Sequence, residues 1–203
     1  MQISRRLKEE TLPYHKKMEA HPWVRLLFKN QLPMTFYYRY LQNLHKVYIA
    51  LEAQLQLNGI LDTYQSQLAR VAKIDSDLNY FETNFQFSRS NLTSRYAQYL
   101  NSISQGESHR YIGHLYVRYF GDMLGGKMIG AKVSDNFKLS NQGIELYDFE
   151  LFKLAYPNEV DELRAALDGI VLSNNQLDEI VFEAKMAFDL NFEMMTLCMQ
   201  ESI

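Results

Sequence analysis

The sequence predicts an all-α, multi-helix fold in one domain covering residues 1–203. Three observations carry this. Only four prolines and nine glycines punctuate the chain. No apolar–polar alternation of strand length occurs, and apolar residues recur instead at helical spacing over long segments. The first segment runs from about Ile3 to Glu19. The second, entered through Leu32-Pro33, starts at Pro33 or Met34 and reaches about Leu57. A third covers roughly Thr63 to Phe81. The polar Ser88-Arg89-Ser90 leads into a fourth, about Asn91 to Ile103. The fifth, from about Ser108 to Val133, carries Gly121, Gly125 and Gly126. A sixth, about Glu159 to Ile170, breaks at Asp168-Gly169, and the last runs from Asn175 to Cys198. No linker, repeat or low-complexity stretch separates them.

An apolar fraction of 47% allows a sizeable core. A net charge of −3 argues against a general nucleic-acid binder. The single cysteine, Cys198, excludes an internal disulfide and a cysteine zinc cluster and fits a reducing compartment. No apolar run approaches the roughly 20 residues that cross a bilayer. The N-terminal residues become charged at once, without a signal-peptide core. The expectation is a soluble, cytoplasmic protein with no membrane or nucleic-acid partner.

The fifth segment holds the densest chemistry. Three glycines fall within six residues of a helical pattern, although an interior glycine costs about 0.5–1 kcal/mol relative to alanine. Such a helix keeps its backbone bare for something flat and large to lie against it. Asp122 sits among the glycines with Arg118 one turn behind, which makes the site polar. On the first helix, His15 and Glu19 share a face, as does Lys8. A histidine with a carboxylate one turn away suits a tuned metal ligand, but such pairs are common and the residues alone favour an exposed surface pair. His21, His45, His109 and His114 make no metal spacing with it, and no Glu-x-x-His of the di-iron kind occurs. A single protein ligand leaves the remaining coordination to a cofactor, as in haem, which without a Cys-x-x-Cys-His motif is held non-covalently. Tyr37, Tyr38 and Tyr40 read as interhelical packing; Tyr48 is open between packing and a polar network. Asn191 is a polar group on an otherwise apolar face, three residues after Phe188.

The run Tyr116-Val117-Arg118-Tyr119-Phe120-Gly121-Asp122-Met123-Leu124-Gly125-Gly126 resembles the distal-helix signature of the haem oxygenases. Leu7 to Thr11 with His15 to Glu19, Val47 to Glu52, and Glu183 to Asn191 resemble other segments of that family, in the same order. The resemblance implies haem b as both substrate and cofactor, opened with O2 to biliverdin, carbon monoxide and ferrous iron. It implies His15 as proximal iron ligand with Glu19 on its free ring nitrogen, and Asp122 as the distal carboxylate that places a water. Tyr48, Arg118, Tyr119 and Asn191 match the network that orients that aspartate. Gly121, Gly125 and Gly126 would let the distal helix kink over the haem. Lys8, Tyr116 and Arg164 match propionate-binding positions, and Phe188 a pocket-wall aromatic. Electrons must come from a partner reductase or ferredoxin, since no flavin or nicotinamide motif is present.

Some positions depart from the family pattern. Leu124 stands where serine is frequent, Val117 where threonine is, and Val160 at a position that is basic in some relatives. Pro13 would bend the first helix unless it lies in the first turn. Two other readings compete: the same fold with thiaminase-like or di-iron chemistry, and a non-catalytic haem carrier. The first needs a pocket cysteine or an inward cluster of carboxylates and histidines; the second has no use for Asp122 and its network.

Overall fold

The computed structural model describes residues 2–57, 64–90, 93–140 and 142–200. Among them the chain is helical, with no strand. The elements are α1 (Ile3–Glu19), α2 (Pro22–Phe28), α3 (Met34–Leu57), α4 (Gln65–Leu68), α5 (Val71–Phe85), α6 (Arg95–Ser102), α7 (Tyr111–Leu115), α8 (Gly121–Phe137), α9 (Glu150–Ala155), α10 (Glu159–Asp168) and α11 (Asn174–Cys198). A 3₁₀ turn, Gln105–Arg110, precedes α7; a second, Glu145–Tyr147, follows α8.

The single long helix expected over 108–133 is instead a composite. Between α7 and α8 the backbone makes one π-helical turn, Tyr116–Phe120. Such a turn admits an extra residue and re-aims the side chains that follow, and it is common at functional sites. The irregularity therefore precedes the glycines. Gly121 itself has ordinary helical angles, φ −63° and ψ −48°.

The third expected helix is also redrawn, with Thr63 outside the described residues. A break at Arg70 separates α4 from α5, and side chains account for it. Arg70 folds back to donate to the carbonyls of Gln67 (2.8 Å) and Leu68 (2.7 Å), satisfying the end of α4. Glu52 accepts the backbone N–H of Arg70 (2.5 Å) and Val71 (3.3 Å), capping the start of α5. Helix α5 then continues past Phe81 until Gln86 turns left-handed at φ 57°. Helices α2 and α9, of seven and six residues, are too short for a periodic pattern to register. The fourth helix starts at Arg95 with Ser94 as N-cap, Asn91 being outside the described residues. Ser173 and Gln176 form a capping box that starts α11 at Asn174. Pro13 lies in the middle of α1, not in its first turn, and the helix runs on to Glu19.

Helix α3 passes through the core with Tyr37, Leu41, Leu44, Val47, Tyr48 and Leu51 buried. Tyr38 and Tyr40 are buried beside them, as interhelical packing requires. Helices α7 and α11 cross at Gly113, where a Cβ would fall 2.5 Å from the Ile180 carbonyl and 2.6 Å from the Ala184 nitrogen. Ser4 donates through its backbone and hydroxyl to Asp168 (2.9 and 2.8 Å), tying α1 to α10. Helix α11 packs against α1, α7 and the π-helical turn that leads into α8.

Candidate active site

The half-buried Tyr116 hydroxyl of the π-helical turn faces Thr11 of α1 and lies within reach of the charge of Arg164. One turn further along α1, His15 is exposed, with 57% of its side chain accessible. Its Nδ1 stands 3.5 Å from Glu19 Oε1, which leaves Nε2 as the outward nitrogen. Phe188 of α11 meets the imidazole edge-on, at 6.2 Å between ring centres. Lys8 is exposed on the same helix. Arg164 pairs with Asp161 at 3.1 Å on the surface of α10.

On α8 the polar centre is built around a buried cation. Arg118, only 3% exposed, donates through Nη2 to both oxygens of Asp122 (2.8 and 2.7 Å) and through Nη1 to Asn191 Oδ1 (3.1 Å). Tyr48 donates its hydroxyl to Asp122 Oδ2 from below. Burial and the Asp122 charge push the Tyr48 hydroxyl far above its ordinary range, so it stays a donor. Arg118 is held charged by Asp122 despite its burial, its guanidinium lying 5.7 Å over the Tyr48 ring. Its Nε is buried with no hydrogen-bond partner among the described residues. A carboxylate held by three hydrogen bonds from two residues, Arg118 and Tyr48, is fixed in orientation and keeps lone pairs free to accept further bonds.

The glycines divide into two sets. A Cβ at Gly121 would meet nothing within 4 Å, and one at Gly125 only Ile129 at 3.8 Å. Leu124 and Met128 are exposed on the same side of the helix. Gly126 is different: it is buried, and a Cβ there would fall 3.3 Å from Tyr147. It belongs to the back of α8, with Gly130, and does not join the open face expected of it. Tyr119 is likewise turned away from Asp122. Its hydroxyl donates to Glu52 Oε1 at 3.2 Å, and it touches Tyr48 only through an edge-on ring contact of 5.5 Å.

Several buried and half-buried polar groups were missed in the sequence. His114, Glu183, Arg110, Tyr99 and Tyr96 form one network. Glu183 Oε2 receives His114 Nε2 at 2.9 Å, and Tyr96 meets His114 Nδ1 at 3.0 Å. Burial is opposed by hydrogen bonds from His114, Arg110 and Tyr99, which hold the Glu183 carboxyl below its usual range. Glu52, Arg70 and Asp77 make a second group. The signal was present: Asp77 and Glu183 sit inside apolar stripes, Ile74-Leu78-Phe81 and Ile180-Ala184-Ala187, where a charge demands a buried partner.

The donor set fits haem iron: one outward imidazole nitrogen, a carboxylate on its other ring nitrogen, and two α8 glycines, beside the exposed apolar Leu124 and Met128, where an added Cβ meets open space. It does not fit the competing chemistries. No group of three or more His, Cys, Asp or Glu that could hold a metal occurs among the described residues. Cys198 is buried and its thiol is pushed up to about 12, the reverse of an activated nucleophile.

Comparison with known proteins agrees in sequence and in fold. The family profile described as heme oxygenase matches residues 1–196. The heme oxygenase of Pyropia yezoensis is 31% identical over 206 residues, spanning 95% of this chain and 84% of that protein. The heme oxygenase structure from Leptospira interrogans superposes with a TM-score of 0.87 at 27% identity, over 97% of this chain and 100% of that one. Heme oxygenase-2 from Synechocystis, solved with heme and NO, gives 0.86 at 27% identity, over 98% of this chain and 85% of that one.

Proposed function

The chain belongs to the heme oxygenase family and is an oxygenase acting on haem; from that premise we propose how its own residues divide the work. Haem is taken as substrate between His15 on α1 and the bare face of Gly121 and Gly125 on α8. When bound, it supplies the iron that activates dioxygen and the carbon skeleton that is opened to biliverdin, with release of carbon monoxide and ferrous iron.

His15 ligates iron through Nε2, and Glu19 on Nδ1 fixes the tautomer and raises the basicity of the ring. Asp122 holds a water on the distal side and moves a proton through it. Arg118, Asn191 and Tyr48 keep that carboxylate aimed, so no reorganisation is needed at the moment of reaction. Lys8 and Arg164 attract the propionates and Tyr116 adds a hydroxyl at the same end. Val160, one turn before Arg164, removes a cation from that anchor. Leu124 and Val117 replace hydroxyls with apolar surface, so water on the distal side depends more heavily on Asp122. Electrons come from a partner reductase or ferredoxin, and the single cysteine supports a cytoplasmic setting. No helix among the described residues is long and apolar enough to cross a membrane.

The observation that carries this reading is the fixed Asp122 carboxylate next to helix positions where an added Cβ meets open space. Hemin added under air with a reductant should show loss of the haem absorption band and growth of a broad red biliverdin band. A stable haem spectrum overturns the reading. His15→Ala should change the ligand-dependent haem spectrum, and an unaltered spectrum removes His15 as ligand.

A further inference from the structure

Asp122 acts only where its helix holds it, and the back of that helix is gripped through a buried assembly. The turn Glu145–Tyr147 is clamped from two sides. Asp77, buried on α5, accepts the backbone N–H of Glu145 (2.7 Å) and Leu146 (2.8 Å). Arg70, buried beside it, donates to the carbonyls of Leu146 (3.4 Å) and Asp148 (2.5 Å) and stacks 4.0 Å over Phe149.

The turn so fixed carries Tyr147, a buried ring laid against α8. A Cβ at Gly126 would lie 3.3 Å from its Cδ1, and one at Gly130 would lie 3.1 Å from both its Cβ and Cδ2. Glycine at these two positions is what admits the ring to this depth. The assembly closes on the helix a second time through Glu52, which caps Arg70 and accepts the Tyr119 hydroxyl. One rigid unit therefore grips the distal segment three residues before Asp122 and again four and eight residues after it.

We propose that Tyr147, seated by Arg70 and Asp77, is a positioning residue that sets how far the α8 segment bearing Asp122 stands toward bound haem. This rests on the reading of the site given above. Tyr147 touches the helix at Gly126 and Gly130, on the buried stripe that also carries Asp122 and roughly 100–180° around the helix from Gly121 and Gly125, so it acts through the helix and not on the substrate.

The test uses the full chain as Tyr147→Ala, Tyr147→Phe, Gly130→Ala and the Gly130→Ala/Tyr147→Ala pair. Three quantities are read well below the melting temperature: deuterium exchange of residues 119–130 without haem, hemin affinity by spectral titration, and kcat for biliverdin formation. Tyr147→Ala should speed exchange in 119–130, keep hemin affinity within about twofold and lower kcat about tenfold, since small misplacements are costly to a placed group. Tyr147→Phe should match the wild type, because the ring does the holding. Gly130→Ala should also lower kcat, and the pair should recover part of it, the methyl entering space the ring has left. Unchanged exchange and kcat in Tyr147→Ala overturns the proposal. So does a kcat loss matched by an equal loss of hemin affinity, which would make Tyr147 part of the binding wall. If Tyr147→Ala does not fold, an unaltered kcat in Gly130→Ala overturns it. Failure of the wild type to degrade hemin would defeat the site reading, whereas exchange in the haem-free protein tests the brace independently.

Discussion

Gly121→Ala should stabilise the haem-free protein and impair the loaded one. The residue has right-handed helical angles, φ −63° and ψ −48°, so alanine enters without backbone strain. Its Cβ would meet nothing within 4 Å, so no clash offsets the gain. The remaining effect is intrinsic: alanine exceeds glycine within a helix by about 0.5–1 kcal/mol. For a chain of this size that raises the melting temperature by about 1–4 °C. The same methyl lies on the face assigned to haem, where overfilling a close contact costs about 1–3 kcal/mol. Hemin affinity should fall roughly five- to 150-fold in consequence. Circular dichroism melting without haem and spectral titration with hemin read the two effects separately. A lowered melting temperature refutes the open-face geometry. A raised one with unchanged hemin affinity and turnover shows that the face looks only to solvent.

Other perturbations have equally definite outcomes. Asp122→Ala strips Arg118 of its buried counter-charge and leaves it the bond to Asn191; the loss of a buried partner should cost about 3 kcal/mol, lower the melting temperature by about 6–12 °C, and abolish biliverdin formation while hemin still binds. Adding Arg118→Met should recover part of that stability, and additive losses would refute the pairing. Burial lifts the Asp77 carboxyl to about 7, against the pull of two backbone N–H groups. A folded value above the unfolded one favours the native state most at low pH. Its contribution is therefore lost as pH rises from about 4 through 7, and Asp77→Asn should flatten the pH dependence of melting across that window. Cys198, buried and lifted to about 12, should resist thiol reagents at pH 8 in the native protein and react on unfolding; rapid native labelling would refute its burial.

Much of the site is written in local sequence. Arg118 and Asp122 are four apart, as are His15 and Glu19, so helical geometry alone pairs them. The phase of the glycines was also available. At 100° per residue Gly126 and Gly130 fall roughly 100–180° around α8 from Gly121 and Gly125, on its buried side, although counting glycines conceals this. Other features are absent from local pattern. The π-helical turn at Tyr116–Phe120 has no periodic signature. Glu52 meets Tyr119, and Arg70 the 146–148 turn, across 67 to 78 residues. Only the tertiary fold brings them together, and it also overrides helical propensity at Arg70, where two caps from distant or folded-back groups split one expected helix in two.

The placement of charge in this core follows from the two faces of the distal helix. Its front, at Gly121 and Gly125, faces open space, so it contributes no packing to hold the helix in place. Apolar contact on the back alone would tolerate small slides, because dispersion is non-directional. Hydrogen bonds to Arg118, Arg70, Asp77 and Glu52 are directional, and in a low-dielectric interior they are costly to leave unmade. Burying those charges contributes little net stability, but each admits only one geometry. The helix is thereby fixed by groups that would be a poor choice for stability alone. Helix position, and not the strength of the fold, is what the buried polar residues around Asp122 specify.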